Sequence, residues 1–343
     1  MPQCTAEELR SLGRRLLEGA GVPAATAARV SDSLVESNLM GHDSHGIIRL
    51  LEYLDSIAKG RIDPHAEVEL VKETPTTALL DAHWAFGQVA AARAMAIAIE
   101  KARARQVAVV GMAHSSHIGR LGEYALMAAE QGLIGAVMCN ASRGGGVAPY
   151  GGMQRMLGTN PLAYAAPTGG AWPFLMDFAT TTCAEGKIRV ARAKGVRLPP
   201  GCILDREGRP STNPEDFYAG GVLLPMGGHK GYGLGLLMDL LGGALTGHGC
   251  TCLPEYVSGN GVLMMAIDIE AFSPLAQFED TAGRLFAAVK ASRTAPGVEE
   301  ILIPGEPEFR TKEKRLREGI PVPESTWQEL ARAAERLGLQ RGA

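Results

Sequence analysis

Residues 107–140 read VAVVGMAHSSHIGRLGEYALMAAEQGLIGAVMCN. The apolar run Val107–Met112 has the length and composition of a buried strand. A helix is predicted from about Arg120 to Gln131, and Leu133–Asn140 is a second apolar run. Short apolar runs alternating with helices argue for an α/β core. The first run gives way to a polar loop, His114-Ser115-Ser116-His117-Ile118-Gly119. Polar side chains at the end of a buried strand are carried by a rigid scaffold, a common setting for a site. A hydrogen-bonded loop histidine would read the same way.

Upstream of this stretch the chain is mostly helical. Thr5-Ala6-Glu7-Glu8 is a capping box opening a helix that stops near Gly21. A second helix is predicted from Ala24 to Leu39, and a third from near His45 to Gly60 with Leu50, Leu51, Leu54 and Ile57 as its apolar stripe. Short strands at Val68–Val71 and Thr77–Asp81 and a helix from Gln88 to Arg105 lead into the core. Downstream, Pro161–Pro167 and Phe174–Ala179 are predicted strands, Cys183–Ala193 a helix and Ile203–Ser211 a hairpin around Glu207-Gly208. The run Gly231–Gly247 is too short for a membrane span and contains Asp239, so a buried helix is expected. A strand at Val262–Ile269, a helix at Gln277–Ser292, a late strand at Ile301–Ile303 and a final helix from Pro323 complete the chain. The expected division is a helical region over 1–75, joined by C-terminal helices over 310–343, around an α/β core over 76–309.

Composition excludes several classes. The net charge of −3 and scattered basic residues argue against a nucleic-acid partner. The basic run Arg310–Arg317 is interleaved with glutamate and reads as a solvated surface. Six cysteines form no disulfide framework, which fits reduced thiols and a cytoplasmic location; the N-terminus shows no apolar signal segment and no membrane association is expected. There are 43 glycines, above the usual ~7 %. Many cluster mid-chain, where the backbone turns tightly or approaches something closely.

Four segments carry groups able to do chemistry. In Gly41-His42-Asp43-Ser44-His45-Gly46 with Arg49 and Tyr53, a helix beginning near His45 would put His45, Arg49 and Tyr53 on one face. An arginine binds a carboxylate bidentately, and His or Tyr handles a proton; a plain helix start with a surface arginine is the alternative. The two His-x-x-His pairs raise metal binding, but His-Glu-x-x-His is absent and no metal is expected. The block Gly227-Gly228-His229-Lys230-Gly231-Tyr232-Gly233 is neither a Rossmann fingerprint nor a P-loop. Bare amides and a lysine before an apolar helix nevertheless suit an anion. Asp177, ending a strand in Met176-Asp177-Phe178-Ala179-Thr180-Thr181, could orient a histidine, hold a ribose or simply cap the next helix.

Read together and in order, these segments resemble the malate/L-lactate dehydrogenase family, which also includes ureidoglycolate, sulfolactate and diketogulonate oxidoreductases. The resemblance rests on GHDSHG with Arg49, HSSHIG, VAPYGG, LGTNP, MDFAT with EGK, GGHKGYGLGLL and Ile303-Pro304-Gly305-Glu306, nearly end to end. HIGRLGEY together with GGHKGYG looks closest to the hydroxycarboxylate dehydrogenase branch. The resemblance implies a non-Rossmann mixed sheet binding NAD or NADP (NAD by preference), a helical region built from both chain ends, a homodimer, and a 2-hydroxy or 2-oxo acid substrate. It places the proton-accepting histidine on His117, with His45 and Asp177 as further catalytic residues, and substrate contacts on Arg49, Tyr53 and Ser44. Cofactor contacts fall on Asp177, Phe178, Ala179, Gly228, His229, Lys230, Asn140, Ser142, Pro304, Gly305 and Glu306. Here Asn140-Ala141-Ser142 is followed by Arg143 and three glycines, where some members carry a cofactor-binding serine. Reduction of a cyclic imino acid or keto acid on the same scaffold, and a non-catalytic nucleotide-binding protein, are the alternatives. An unperturbed histidine titrates near about 6.5, so oxidation is expected to rise with pH through that region.

Overall fold

The computed structural model describes residues 2–141 and 145–339. Its centre is a seven-stranded sheet in the order Glu69–Glu73, Thr77–Asp81, Val107–Ser115, Asn260–Asp268, Leu133–Cys139, Leu162–Ala166, Phe174–Phe178. Only Thr77–Asp81 and Val107–Ser115 pair in parallel; every other neighbour is antiparallel. The fold is therefore α/β with a mixed sheet, and it is not the doubly wound parallel sheet of a Rossmann domain. Val107–Ser115 and Asn260–Asp268 are central and almost wholly buried, which explains their continuous apolar runs.

The helices Gly87–Arg105 and Gly122–Ala129 cover one face of the sheet. Both contribute alanines to the core: Ala90, Ala91, Ala94, Ala98, Ala125, Ala128 and Ala129 are all buried there. Small side chains let helix and sheet approach closely. Gly135 illustrates the limit: a Cβ there would lie 2.4 Å from the Ala125 carbonyl oxygen. A second core joins the two chain ends. Leu9, Leu16 and Leu17 of the helix Ala6–Gly19, Val30 and Leu34 of Ala24–Leu39, and Leu330 and Ala333 of Glu324–Arg336 share it. A two-stranded pair, Gln3–Cys4 with Ile320–Pro321, fastens it. The Thr5–Glu8 capping box forms as expected.

Three expectations are corrected. The third helix begins at Arg49, and Asp43–His45 is instead a 3-10 turn. Asn38 imposes this: its Oδ1 accepts the Ile47 amide, its Nδ2 donates to Asp43, and Gly46 lies so close that any side chain would strike it. Ile301–Ile303 forms no strand; the segment meets the sheet edge through a bond from the Leu175 amide to the Pro304 carbonyl. The apolar run from 231 is an α-helix, His229–Met238, that widens into a π-helical stretch, Asp239–Ala244. One side packs on the sheet, while Leu236, Leu237, Leu240 and Leu245 are exposed. The basic helix Glu306–Glu318 has no buried residue, as a solvated face should, but Arg315 also reaches Asp43 with two bonds of 2.6 and 3.0 Å.

Candidate active site

The central strand runs on through His114 and Ser115, and the loop Ser116–Gly119 leaves it beside the start of the helix Gly87–Arg105. Gly87 is essential to the closeness: a Cβ there would sit 2.5 Å from the carbonyl oxygens of Ser116 and His117. The Ser116 hydroxyl accepts the Gly87 amide at 2.9 Å, and Asn260 Oδ1 accepts the Ile118 amide at 3.1 Å. The backbone of His117 is thus pinned on both sides.

His117 stacks on His45, with ring centroids 5.5 Å apart and planes 21° from parallel. Behind His117, its Nδ1 lies 2.8 Å from the Tyr53 hydroxyl, which accepts a bond from Gln88 Nε2 at 2.7 Å. Behind His45, its Nδ1 lies 3.0 Å from the Ser44 hydroxyl. Both residues are part-buried rather than sealed in the core. Desolvation, then the Arg49 guanidinium, holds His45 down to about 3 and His117 well below its ordinary value. Both are neutral at physiological pH, the form that accepts a proton. Burial pushes the Tyr53 phenol up, so it stays protonated.

Arg49 stands near both histidines but is held by its own helix. Its Nε donates to the Ser44 carbonyl at 2.7 Å and its Nη1 to Glu52 at 2.5 Å. His42 and His114 do not join the pair. His42 faces Glu308 at 3.8 Å, and His114 pairs with Asp81 at 2.8 Å.

The other motifs gather round this centre in a chain of close contacts. Ser44 packs against Gly186 of the EGK segment. Asp177, half-buried at the end of the edge strand with Phe178 and Ala179, accepts the Gly122 amide at 2.6 Å. Just beyond, the Thr180 carbonyl accepts the Met226 amide, and Gly231 presses against that same carbonyl, docking the glycine-lysine loop onto the strand. Gly227 and Gly228 have φ of 57° and 62°, a region glycine enters freely. Gly228 starts the helix His229–Met238 without a side-chain cap. Lys230 and His229 are exposed on its first turn, beside a cleft of about 590 Å³ lined by Tyr150, Gly151, Thr182, Gly227 and Gly228. An uncapped helix start, bare glycine backbone, a lysine and an open cleft fit the phosphates of a dinucleotide.

Four expected cofactor contacts have other uses in the fold. The Asn140 side chain is fully buried and bonds Asp239, the Gly249 carbonyl and the Gly261 amide. Glu306 binds Lys290 at 2.6 and 2.7 Å and caps Ile303. Pro304 and Gly305 pack on Leu175 at the sheet edge, two residues from Asp177. Ser142 lies outside the described residues. Two members of the site had no sequence signal of their own. Gln88 is one amide in an alanine-rich helix, and Arg120 follows HSSHIG as an ordinary-looking cation. The asparagine of LGTNP, Asn160, and the buried Asp239 are scaffold: Asn160 bonds the Ala141 amide, the Gly235 carbonyl and Asp239.

Comparison with known proteins agrees with this fold. The family model for malate/L-lactate dehydrogenase matches residues 4–331. The chain is 42 % identical to a malate dehydrogenase of Pyrococcus horikoshii, over 95 % of this chain and 93 % of that protein. It is 35 % identical to hydroxycarboxylate dehydrogenase B of Escherichia coli, over 97 % and 94 % respectively. The solved structure of a sulfolactate dehydrogenase from Methanocaldococcus jannaschii superposes with a TM-score of 0.90 at 36 % identity, covering 99 % of this chain and 98 % of that one. The chain belongs to the malate/L-lactate dehydrogenase family. The two sequence identities do not favour the hydroxycarboxylate branch over the malate enzymes.

Proposed function

We propose that this protein is a nicotinamide-dependent dehydrogenase that oxidises a small 2-hydroxy acid and reduces the 2-oxo acid in reverse. The observation that carries the reading is the stacked pair of neutral imidazoles, His45 and His117, each with a hydrogen-bond partner behind it and arginine charge nearby. The names of the relatives (malate, sulfolactate, hydroxycarboxylate) share a carboxylate beside a carbinol carbon.

A nicotinamide cofactor held at this site would supply the acceptor for the hydride leaving the substrate C2. His117 Nε2 takes the hydroxyl proton. That requires the tautomer with hydrogen on Nδ1, so Tyr53 Oη is then the acceptor for both His117 Nδ1–H and the Gln88 amide. Tyr53 is accordingly a positioning group that fixes which ring nitrogen is free. His45, stacked on His117, bounds the other side of the reacting oxygen. Arg49 and Ser44 shape the approach of the acid, and Asp177 closes the site from the edge strand. Lys230, Gly228 and His229 would hold the cofactor phosphates, with Asp177, Phe178, Ala179 and the Pro304-Gly305 turn along its path; Ser142 and the neighbourhood of Asn140 are the remaining candidates. NAD is the expected cofactor rather than NADP.

We further propose a homodimer in the cytoplasm. The exposed leucine row of the helix from His229 supports this, as an apolar face that a second copy could cover. Six free cysteines suit a reducing compartment, and among the described residues no helix is long and apolar enough to cross a membrane.

The test is a panel of 2-hydroxy acids with NAD and with NADP, followed by the absorbance of the reduced nicotinamide. Turnover of at least one acid is expected. A panel with no turnover, while cofactor still binds, would leave the non-catalytic reading in its place.

A further inference from the structure

Among the described residues, Arg120 is the least explained charge. It is 2 % exposed, yet Nε, Nη1 and Nη2 all lack a hydrogen-bond partner. A guanidinium carries five N–H donors, and burying them unpaired is costly unless something arrives to meet them. The sequence puts it three residues after His117, just before the helix Gly122–Ala129.

Its surroundings point toward the site. Arg120 Nη1 and Asp177 Oδ2 come within 2.8 and 2.9 Å of the point a side chain on Gly122 would occupy. The absence of that side chain lets both groups converge there. Asp177 does not pair with Arg120; its Oδ2 is turned to the Gly122 amide. The Arg120 charge is felt at His45, which it helps keep unprotonated, and at Glu308, which is engaged with His42. Arg49, the arginine singled out by sequence, already has partners at Glu52 and Ser44. Of the two arginines near the histidines, Arg120 is the one whose guanidinium is buried with no hydrogen-bond partner at all.

We infer that Arg120 is the specificity-determining residue that binds the carboxylate of the bound acid, with Arg49 in a supporting, positioning role. This rests on the reading of the site as a hydroxy-acid dehydrogenase. It adds a consequence: an anion seated on Arg120 offsets that arginine's positive field at His45, beside the ring that accepts the proton.

The experiment uses the cofactor-loaded enzyme and oxalate, a small dianion, with neutral oxamide as its control. Binding is read by titration calorimetry, which does not depend on turnover. Wild type is expected to bind oxalate and not oxamide. Arg120→Gln is expected to weaken oxalate by about 10–100-fold, the worth of a charge-assisted pair, and to raise KM for the acid more than it lowers kcat. Arg120→Lys, which keeps the charge and loses the fork, guards against a failure to fold; it is expected to lose about tenfold. If oxalate affinity and KM stay within about twofold of wild type in the folded variant, Arg120 is a structural cation and the inference falls. If wild type turns over no acid but oxalate binding still depends on Arg120, the dehydrogenase reading fails while the anion site stands.

Discussion

A neutral imidazole can accept a proton but has none to give at Nε2 in the tautomer required here, so the state of His117 fixes the direction in which pH acts. With its pKa lowered by burial, the ascending limb of kcat/KM for oxidation lies on the acid side of about 6.5 rather than at it. Reduction needs the imidazolium and should rise as pH falls. Paired pH profiles for the two directions check this; an oxidation limb centred above 6.5 would contradict it. Tyr53→Phe removes the acceptor of His117 Nδ1–H, leaving the ring free to turn or to change tautomer. A fall in kcat of about tenfold or more is expected, with cofactor affinity unchanged, measured by steady-state kinetics and cofactor titration. An unchanged kcat would show that Tyr53 does not fix the tautomer. The histidines were legible in the sequence because their motifs are polar islands between apolar runs, and Tyr53 was read from its spacing with His45 and Arg49. Gln88 and Arg120 were not, since burial without a partner is a property of packing that no single-residue pattern displays.

Elements, in this fold, are held at the site by glycine contacts and a buried carboxylate. Asp239 accepts from Asn140, Asn160, the Thr251 amide and the Thr251 hydroxyl, tying the chain after Leu133–Cys139 to the helix from His229. Asp239→Asn sets an NH₂ against donors and should cost about 1–3 kcal/mol for each donor left unpaired. Thermal denaturation is expected to show a clear drop in Tm; an unchanged Tm would show that this network does not hold the fold. At the other end of the same helix, Lys230→Ala should weaken cofactor binding roughly tenfold or more with little effect on oxalate, by calorimetry. The apolar runs of the central strands and the Thr5 capping box could be read directly. The start of the helix at Arg49 could not, because Asn38, seven residues before His45, decides it through the Ile47 amide. The π-helical widening at Asp239–Ala244 likewise depends on tertiary packing: Gly242 and Gly243 press on the backbone at Gly261 and Gly249.

The whole molecule presents an apolar surface that a lone chain would leave in water. Leu240 and Leu245 are 57 % and 63 % exposed beside Leu236 and Leu237. Light scattering is expected to give twice the 36.2 kDa of one chain, and Leu240→Glu with Leu245→Glu to give single chains, since burying unpaired carboxylates is costly. A wild-type particle the size of one chain would contradict the dimer. Stability should also depend on pH in one direction. The unfolded chain takes protons on His45 and His117 near about 6.5, while the fold resists them. The unfolded state therefore binds more protons below that pH. Stability is full above about 6.5 and is lost as pH falls toward about 3, where His45 itself titrates in the fold. The helical region built from both chain ends and the mixed sheet were foreseen through family resemblance. Local pattern alone indicated an α/β core but not which strands pair in parallel, since strand order is set by long-range contact.

The base assigned to His117 is the centre of the mechanism. The decisive measurement is the pH dependence of kcat/KM for oxidation in wild type, His117→Ala and His45→Ala. His117→Ala is expected to lower kcat by about 10²–10⁴ and to abolish the ascending limb, with cofactor binding retained. His45→Ala is expected to lower the rate but keep the limb. If the limb survives in His117→Ala and disappears in His45→Ala, the base is His45 and the assignment is reversed.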